Sequence, residues 1–291
     1  MSEVRIRAVI PSIAENCIDL EIQRGALIDS GVEVVVVANG RRLRESAAAR
    51  NLPVVSSGKN GGFSASIALG AEQVGHWDWL LIVNDDVTID LERFRQNLQR
   101  FVNEDQAAGI VYLNDEAPRP FPTRGAVFNS LSLLGAILTR IRTPSSAPDS
   151  RTYRSFSTVA ISRSAWEAVG GLDPSMPFTF EDADFVRRAT DLGVDSFAVT
   201  GSGADHLHSV STGRHIASVL PVSTHSAIVY LDKWYTGLGL SNRALVAIAL
   251  LIRIPLSPWT KAPKLPHLVG IARALRVVFG VRPKLPPFED L

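Results

Sequence analysis

Four short passages concentrate side chains able to do chemistry. The first is Asn84-Asp85-Asp86, an amide and two carboxylates at the end of an apolar run. A hard cation such as Mg2+ or Mn2+ takes oxygen ligands, commonly one or two carboxylates completed by phosphates and water. The plain alternative is an Asp-rich turn held by local hydrogen bonds. The second passage, Phe178-Thr179-Phe180-Glu181-Asp182-Ala183-Asp184, sets three carboxylates at a helix start. Acidic residues suit a first helical turn, but crowded carboxylates raise one another's pKa toward the working range of a general base. The third is Asp205-His206-Leu207-His208-Ser209-Val210-Ser211-Thr212. Histidines two apart face the same side of an extended segment, which suits a metal or phosphate site; a lone histidine is more often structural. The fourth, Asn60-Gly61-Gly62-Phe63, precedes a helix, where glycine permits close backbone approach and the helix N-terminus favours phosphate. A plain helix-start turn is its alternative. No CxxC or HExxH pattern supports zinc, and neither GxGxxG nor GK[ST] is present to support a dehydrogenase or an ATPase.

Apolar periodicity supplies elements to position these passages. Val4–Ile10, Val32–Val37, Val54–Val55, Trp79–Val83, Ile110–Leu113, Phe156–Ile161 and Asp195–Val199 read as strands, several of them near-continuous β-branched runs of the kind covered on both faces. Ile18–Ser30, Phe63–Val74, Leu91–Val102, Ser164–Val169 and Glu181–Leu192 read as helices. This alternation predicts an α/β fold with a parallel, doubly wound sheet. Ligands of such sheets bind beyond the carboxyl ends of the strands, so Pro11-Ser12, Ala38-Asn39-Gly40 and Asn84-Asp85-Asp86 should converge on one crevice. Residues 114–152, rich in Pro and Ser with an isolated apolar stretch at Leu131–Ile141, read as a long excursion bordering that crevice.

The chain has 291 residues and a formal charge of +1, unevenly spread. Residues 1–239 hold 22 Lys+Arg against 27 Asp+Glu, whereas residues 240–291 hold 8 against 2. Beyond residue 214 the text is helical and basic, and its prolines, from Pro255 to Pro287, are expected to cut it into short pieces. Ala244–Ile252, ending at Arg253 and Pro255, reads as too short to cross a bilayer, which takes about 20 apolar residues. The single cysteine, Cys17, excludes an intramolecular disulfide framework and suits a reducing compartment. The N-terminus does not resemble a signal peptide. A cytoplasmic protein follows as the expectation, either soluble or peripheral on the inner face of the membrane. Two readings of the basic tail stay open: contact with an anionic membrane surface, or packing on the body of the protein or on a second subunit.

In their order along residues 4–215, these passages resemble the inverting glycosyltransferases of family 2, closest to the bacterial rhamnosyltransferase-like branch. The resemblance rests on Val9-Ile10-Pro11-Ser12, Val37-Ala38-Asn39-Gly40, Asn60-Gly61-Gly62-Phe63 and Asn84-Asp85-Asp86. It rests most specifically on Gly170-Gly171-Leu172-Asp173 leading to Phe180-Glu181-Asp182-Ala183-Asp184, closed by His206 with Ser211-Thr212. It implies a GT-A (Rossmann-like) mostly parallel sheet over residues 1–215, with a C-terminal helical extension over 216–291. It also implies that Pro11, Ser12, Asn39, Gly62, Phe63, Asn84 and Asp85 border a nucleotide-diphosphate sugar, linked through dTDP, UDP or GDP. Asp86, with His206 or His208, would hold a divalent metal, Mg2+ or Mn2+. Asp182 would be the catalytic base and Glu181 its supporting neighbour. The acceptor would be a glycan or a lipid-linked hydroxyl of the cell envelope, with no nucleic-acid partner. Asn84 departs from the usual first Asp of a DxD element, and Asn39 stands where an acidic residue is usual.

Two rival classes use similar parts. A sugar-phosphate nucleotidyltransferase would carry an early Gly- and Lys-rich signature, which is absent between Val4 and Asn39. A non-catalytic nucleotide-sugar-binding protein has Asn84 as its one hint.

Overall fold

The computed structural model of the chain describes residues 4–13, 17–103, 109–135, 151–199, 201–206, 215–260 and 263–291. His208, Ser211-Thr212 and most of Leu131–Ile141 lie outside them.

A seven-stranded sheet forms the centre. Its strands are β1 (Ile6–Ser12), β2 (Glu33–Ala38), β3 (Val54–Val55), β4 (Trp79–Val83), β6 (Ile110–Tyr112), β9 (Thr158–Ser162) and β10 (Ser196–Ala198), in the spatial order β10-β6-β9-β4-β1-β2-β3. All neighbours pair parallel except β9, which runs against both β4 and β6. The sheet is thus mostly parallel, as expected, with β9 the one reversed strand among those described. All five residues of β9 are buried, and a strand covered on both faces carries no mark of its direction in its residue types.

Side chains alternate between two cores, as a period of two demands. Ala8, Ile10, Leu81 and Val83 face one side with α1 (Ile18–Asp29), α2 (Arg41–Ala49) and α4 (Leu91–Asn103). Val9, Leu80 and Ile82 face the other with α3 (Gly62–Gln73), α6 (Arg163–Val169) and α7 (Glu181–Asp191). α3 lies hard on β1: a Cβ at Gly70 would sit 2.3 Å from Val9 Cγ1. β1 continues through Pro11 to Ser12 rather than stopping at the proline. Its ladder to β4 ends at Val9↔Ile82, so at Pro11 only β2 pairs, and the missing N–H interrupts nothing on the β4 side.

Residues 114–152 contain more order than expected. β7 (Arg119–Pro120) pairs with β8 (Thr152–Tyr153), and α5 (Arg124–Ser132) begins at Thr123, whose hydroxyl accepts the Ala126 N–H. A second small sheet pairs β5 (Val87–Ile89) antiparallel with β11 (Ala204–His206).

The tail is three long helices, not short pieces: α8 (Ile216–Trp234), α9 (Gly239–Leu256) and α10 (Lys264–Val278). Pro266 lies in the first turn of α10, where the missing N–H costs little, and Pro255 lies in the last turn of α9, where it deprives the Leu251 carbonyl of its donor but has almost no helix left to break. Pro221 lies inside α8 and frees the Ala217 carbonyl, which receives a 3.4 Å hydrogen bond from Arg273 of α10. With Pro255 absorbed, α9 has 18 residues and a mean hydropathy of 1.5, long and apolar enough by length and composition to cross a membrane; the shorter span read from the sequence is corrected. Val246, Ala249 and Leu250 of α9 are buried with Val127 and Leu131 of α5, Leu220 and Ile228 of α8, and Ile271 and Ala274 of α10.

Candidate active site

Parallel register brings the strand ends together. Ser12 pairs with Ala38, and the Asn39 N–H donates to the Ser12 carbonyl at 2.9 Å. The Ser12 hydroxyl donates to Asp85 Oδ2 at 2.6 Å, which ties the end of β1 to the turn after β4. Burial pushes the Asp85 carboxyl above its usual range, the Ser12 hydrogen bond opposes this, and the Asp86 charge adds to it. The Ser66 hydroxyl lies within hydrogen-bonding distance of Asn39 Oδ1 (2.9 Å) and of the Gly62 carbonyl (2.6 Å), fixing the amide against the start of α3.

The glycine loop is a latch. Gly62 has φ +77°, and a Cβ there would lie 2.4 Å from the Pro177 carbonyl oxygen. That oxygen accepts the Phe63 N–H at 2.7 Å, and Ser64 Oγ donates to the Met176 carbonyl at 2.7 Å. Only a residue without a side chain permits this approach at a left-handed φ. The segment before α7 is thereby pinned to the start of α3, and Ser226 of α8 holds the Phe178 carbonyl from the other side at 2.8 Å. Thr179 and Phe180 follow with φ of +66° and +69°. Two consecutive non-glycine residues in this region store strain of the kind that clusters at functional sites. They deliver Glu181 and Asp182 at the first turn of α7.

The small β5–β11 sheet decides where the histidine goes. His206 pairs with Val87, beside Asp86, and its Nε2 lies 3.0 Å from Asp86 Oδ1. Its Nδ1 lies 2.9 Å from Glu116 Oε1, and Glu116 is also 3.2 Å from Arg119. The Asp86 hydrogen bond, followed by that to Glu116, raises the His206 pKa to about 9 against the opposing effect of burial. Burial alone would raise Glu116, but the bonds and charges of His206 and Arg119 help hold it below its usual value. Glu116 comes from the loop after β6, at the same sheet edge, where Asn114 Nδ2 donates to the Ser155 and Thr158 carbonyls.

With the proton between them displaced, this pair fits a divalent cation. Ligands at about 2.1 Å in octahedral geometry sit roughly 3 Å apart when adjacent, which is the separation of Asp86 Oδ1 and His206 Nε2. A carboxylate on the far nitrogen of a ligating imidazole is the usual second-shell orienting group, and Glu116 occupies that position. Among the described residues no three His, Cys, Asp or Glu side chains form a complete cage. The donor set therefore suits a cation that completes its shell with phosphate and water.

The sequence-predicted residues divide between two adjoining cavities. Pro11, Ser12, Asn39, Gly62, Phe63, Asn84, Asp85, Asp86 and His206 all line the first. Glu181 and Asp182 line the second, of about 700 Å3. Phe63, Asn84, Phe178 and Val219 belong to both walls. Asp182 Oδ1 accepts the Ala183 N–H at 2.7 Å. Burial raises the Asp182 pKa to about 6, with the Ala183 bond and Arg119 opposing and Glu116 adding to the rise. Burial, then the neighbouring Asp182 charge, push Glu181 well above the usual carboxylate range, and its Oε2 is buried without a partner.

The third acid of that passage has a different fate. Asp184 is fully buried, paired with Arg188 at 2.8 Å and Lys233 at 2.9 Å, and its Oδ1 accepts from Trp234 Nε1 at 2.9 Å. The expected three-way repulsion is absent because Asp184 turns toward α8 and is neutralised there. Sequence reasoning missed Glu116, Arg119, and Leu285 and Pro286, which line the first cavity from the C-terminal segment, where Asn60 Nδ2 donates to the Pro286 carbonyl at 3.0 Å. None of them carries a periodic or motif signal.

The mostly parallel seven-stranded sheet flanked by helices has the GT-A architecture of its structural neighbours. The structure resembles GalNAc-T7, solved with UDP, GalNAc and Mn2+, with a TM-score of 0.51 at 14% identity. That match covers 79% of this chain and 50% of the other, so the chain spans half the length of that protein. Staphylococcus aureus TarS, residues 1–349, aligns at 0.43 and 12% identity over 94% and 90% of the two chains. Glucosyl-3-phosphoglycerate synthase from Mycobacterium tuberculosis, solved with Mn2+ and UDP, aligns at 0.45 and 17% over 79% and 80%. No family model matches the sequence, and no curated protein does.

Proposed function

We propose that the chain is an inverting glycosyltransferase of the hexosyltransferase class, moving a sugar from a nucleotide-diphosphate donor to an acceptor hydroxyl with the help of a divalent metal. The supporting observation is the meeting of two cavities at one wall: Asp86 with His206 on one side, Asp182 with a pKa near 6 on the other. In this reading the first cavity takes the donor and the second the acceptor. Pro11, Ser12, Asn39, Gly62, Phe63, Asn84 and Asp85 border the nucleotide, and Asp86 and His206 hold Mg2+ or Mn2+. A cation there supplies Lewis-acid stabilisation of the departing diphosphate, worth several kcal/mol.

Asp182 takes the acceptor's proton. Its Oδ1 is occupied by Ala183, which leaves Oδ2 for the hydroxyl. As the acceptor oxygen bonds to the anomeric carbon, the carbon–oxygen bond to the diphosphate breaks on the opposite face. The proton ends on Asp182 and the anomeric configuration inverts. Burial, then the Asp182 charge, disfavour the ionised form of Glu181, which eases the repulsion between the two neighbouring carboxylates.

We assign family 2 and its rhamnosyltransferase-like branch on the order of motifs alone, with residues 1–215 as the catalytic unit and 216–291 as its helical extension. The tail's excess of six positive charges complements an anionic membrane, and Leu240, Ile248, Leu251, Leu265 and Phe279 expose an apolar face on and around α9 and α10. We place the protein on the cytoplasmic membrane surface through that face, facing a glycan or lipid-linked acceptor.

The test is transfer and hydrolysis from UDP-, GDP- and dTDP-sugars, with and without a chelator. Metal-dependent release of nucleoside diphosphate from one donor carries the proposal. Release of a nucleoside monophosphate and a sugar phosphate points instead to nucleotidyl chemistry, and binding without turnover to a carrier protein; both outcomes overturn it.

A further inference from the structure

One cation in the second cavity has no counter-ion among the described residues. Arg253 of α9 is 9% exposed. Its Nε donates to His267 Nε2 at 2.8 Å and its Nη1 to the Leu131 carbonyl at 3.0 Å. Both acceptors are uncharged: the imidazole accepts through an unprotonated nitrogen, and its pKa is held low by burial and by the Arg253 charge. Nη2 has no partner among the described residues, yet it is not sealed in protein. Two other buried acids of this region have cationic partners, Asp184 in Arg188 and Lys233, and Glu116 in Arg119 and His206. Arg253 has no such partner among the described residues. Burial lowers its pKa to about 10 with no opposing charge, so it stays protonated at neutral pH.

A charge taken out of water is costly unless it is paired. The guanidinium is held rigidly by its two neutral acceptors, with Nη2 left to donate to an anionic oxygen. Arg253 lines the same cavity as Asp182, and that cavity, at about 700 Å3, is of ligand-binding size. Val127, Leu131 and Leu220 give its walls an apolar character.

We propose that the acceptor carries an anionic oxygen group of the phosphate type, received by Arg253 in the cavity that presents Asp182. This rests on the reading of that cavity as the acceptor site and names the class of acceptor. The anion completes the unpaired guanidinium, and the apolar walls take the adjoining uncharged part of the molecule.

The experiment uses the full chain and measures binding of octyl phosphate, octanol, octylamine and inorganic phosphate, with UDP plus Mn2+ titrated separately. The wild-type protein is expected to bind octyl phosphate at least tenfold more tightly than octanol and to reject octylamine. Arg253→Gln removes that preference, and Arg253→Lys, which keeps the charge but loses the bond to His267, retains most of it. A merely structural arginine predicts the opposite, both variants losing stability alike and neither changing the phosphate-over-alcohol ratio. Competition by inorganic phosphate supports the proposal with a soluble phosphorylated acceptor as the source; binding that needs the alkyl chain supports it with a lipid phosphate. Equal affinity of the wild-type protein for octyl phosphate and octanol overturns it, whether or not Arg253→Gln folds. Absence of UDP–Mn2+ binding strikes the donor reading instead, so the two failures are separable.

Discussion

Asp182→Asn tests the base assignment through activity and stability at once. The buried carboxyl titrates near 6, against 3.8 for an ordinary aspartate. Between these values the folded protein holds a proton that the unfolded chain has lost, so stability falls as pH rises through that window. The shift of about two units corresponds to roughly 3 kcal/mol at pH 7, at about 1.4 kcal/mol per unit. Asparagine has no charge to bury, and its amide oxygen can still accept the Ala183 N–H. The variant should therefore unfold at higher denaturant, by up to about 3 kcal/mol, while its transfer rate drops about 10²–10⁴-fold. In the parent, with metal and donor saturating, a base of pKa near 6 is about 90% ionised at pH 7 and about 10% at pH 5, so the rate falls roughly tenfold over that interval. An ordinary aspartate loses less than about a tenth of its ionised form over the same range. Rates from stopped assays at pH 5–8 and urea melts of both proteins decide the matter. A flat profile down to pH 5, or an Asn variant that is both active and less stable, refutes the reasoning.

Three further outcomes follow from the geometry. Glu116→Gln leaves His206 without the carboxylate on its Nδ1 and should weaken Mn2+ binding about 10–100-fold by titration; unchanged affinity removes Glu116 from the metal seat. Asp184→Ala leaves Arg188 with only the Val169 and Gly171 carbonyls and Lys233 with only Asp173, and frees the Trp234 indole; it should cost about 3 kcal/mol in chemical denaturation, and a loss below about 1 kcal/mol contradicts its role as the pin between α7 and α8. Ile248→Glu with Leu251→Glu places charges on exposed positions of α9, and should abolish flotation with anionic liposomes while leaving the melting temperature in place. Cutting the chain near residue 240 is the poorer test, since it uncovers the core shared by α5 and α8. Flotation equal to that of the parent removes the membrane face from the proposal.

Much of the scaffold was legible in residue types because burial imposes periodicity. Val32–Val37 and Trp79–Val83 could only be strands covered on both sides, and the carboxyl ends of parallel strands had to share an edge, so Ser12, Asn39 and Asp85 converge as expected. What periodicity does not encode is direction, and β9 was read without its reversal; that reversal carries Ser155 and Phe156 to the edge of the second cavity. Likewise Pro255 and Pro266 read as breaks, but Pro266 sits in a first turn, which needs no N–H, and Pro255 one residue from its helix's end, so three long helices resulted.

The chemistry divides in the same way. Local sequence determined that carboxylates would gather after β4 and at the start of α7, since chain neighbours stay neighbours in any fold. Tertiary structure decided which of them is free to react. Asp184 is paired with Lys233 of α8, Glu181 is buried and pushed well above the usual carboxylate range, and Asp182 titrates near 6 on a cavity wall. Glu116 meets His206 across 90 residues, and Arg253 meets Leu131 across 122. Contacts at such separations depend on how helices and strands pack, and packing free energy is a property of the assembled surfaces rather than of any one segment.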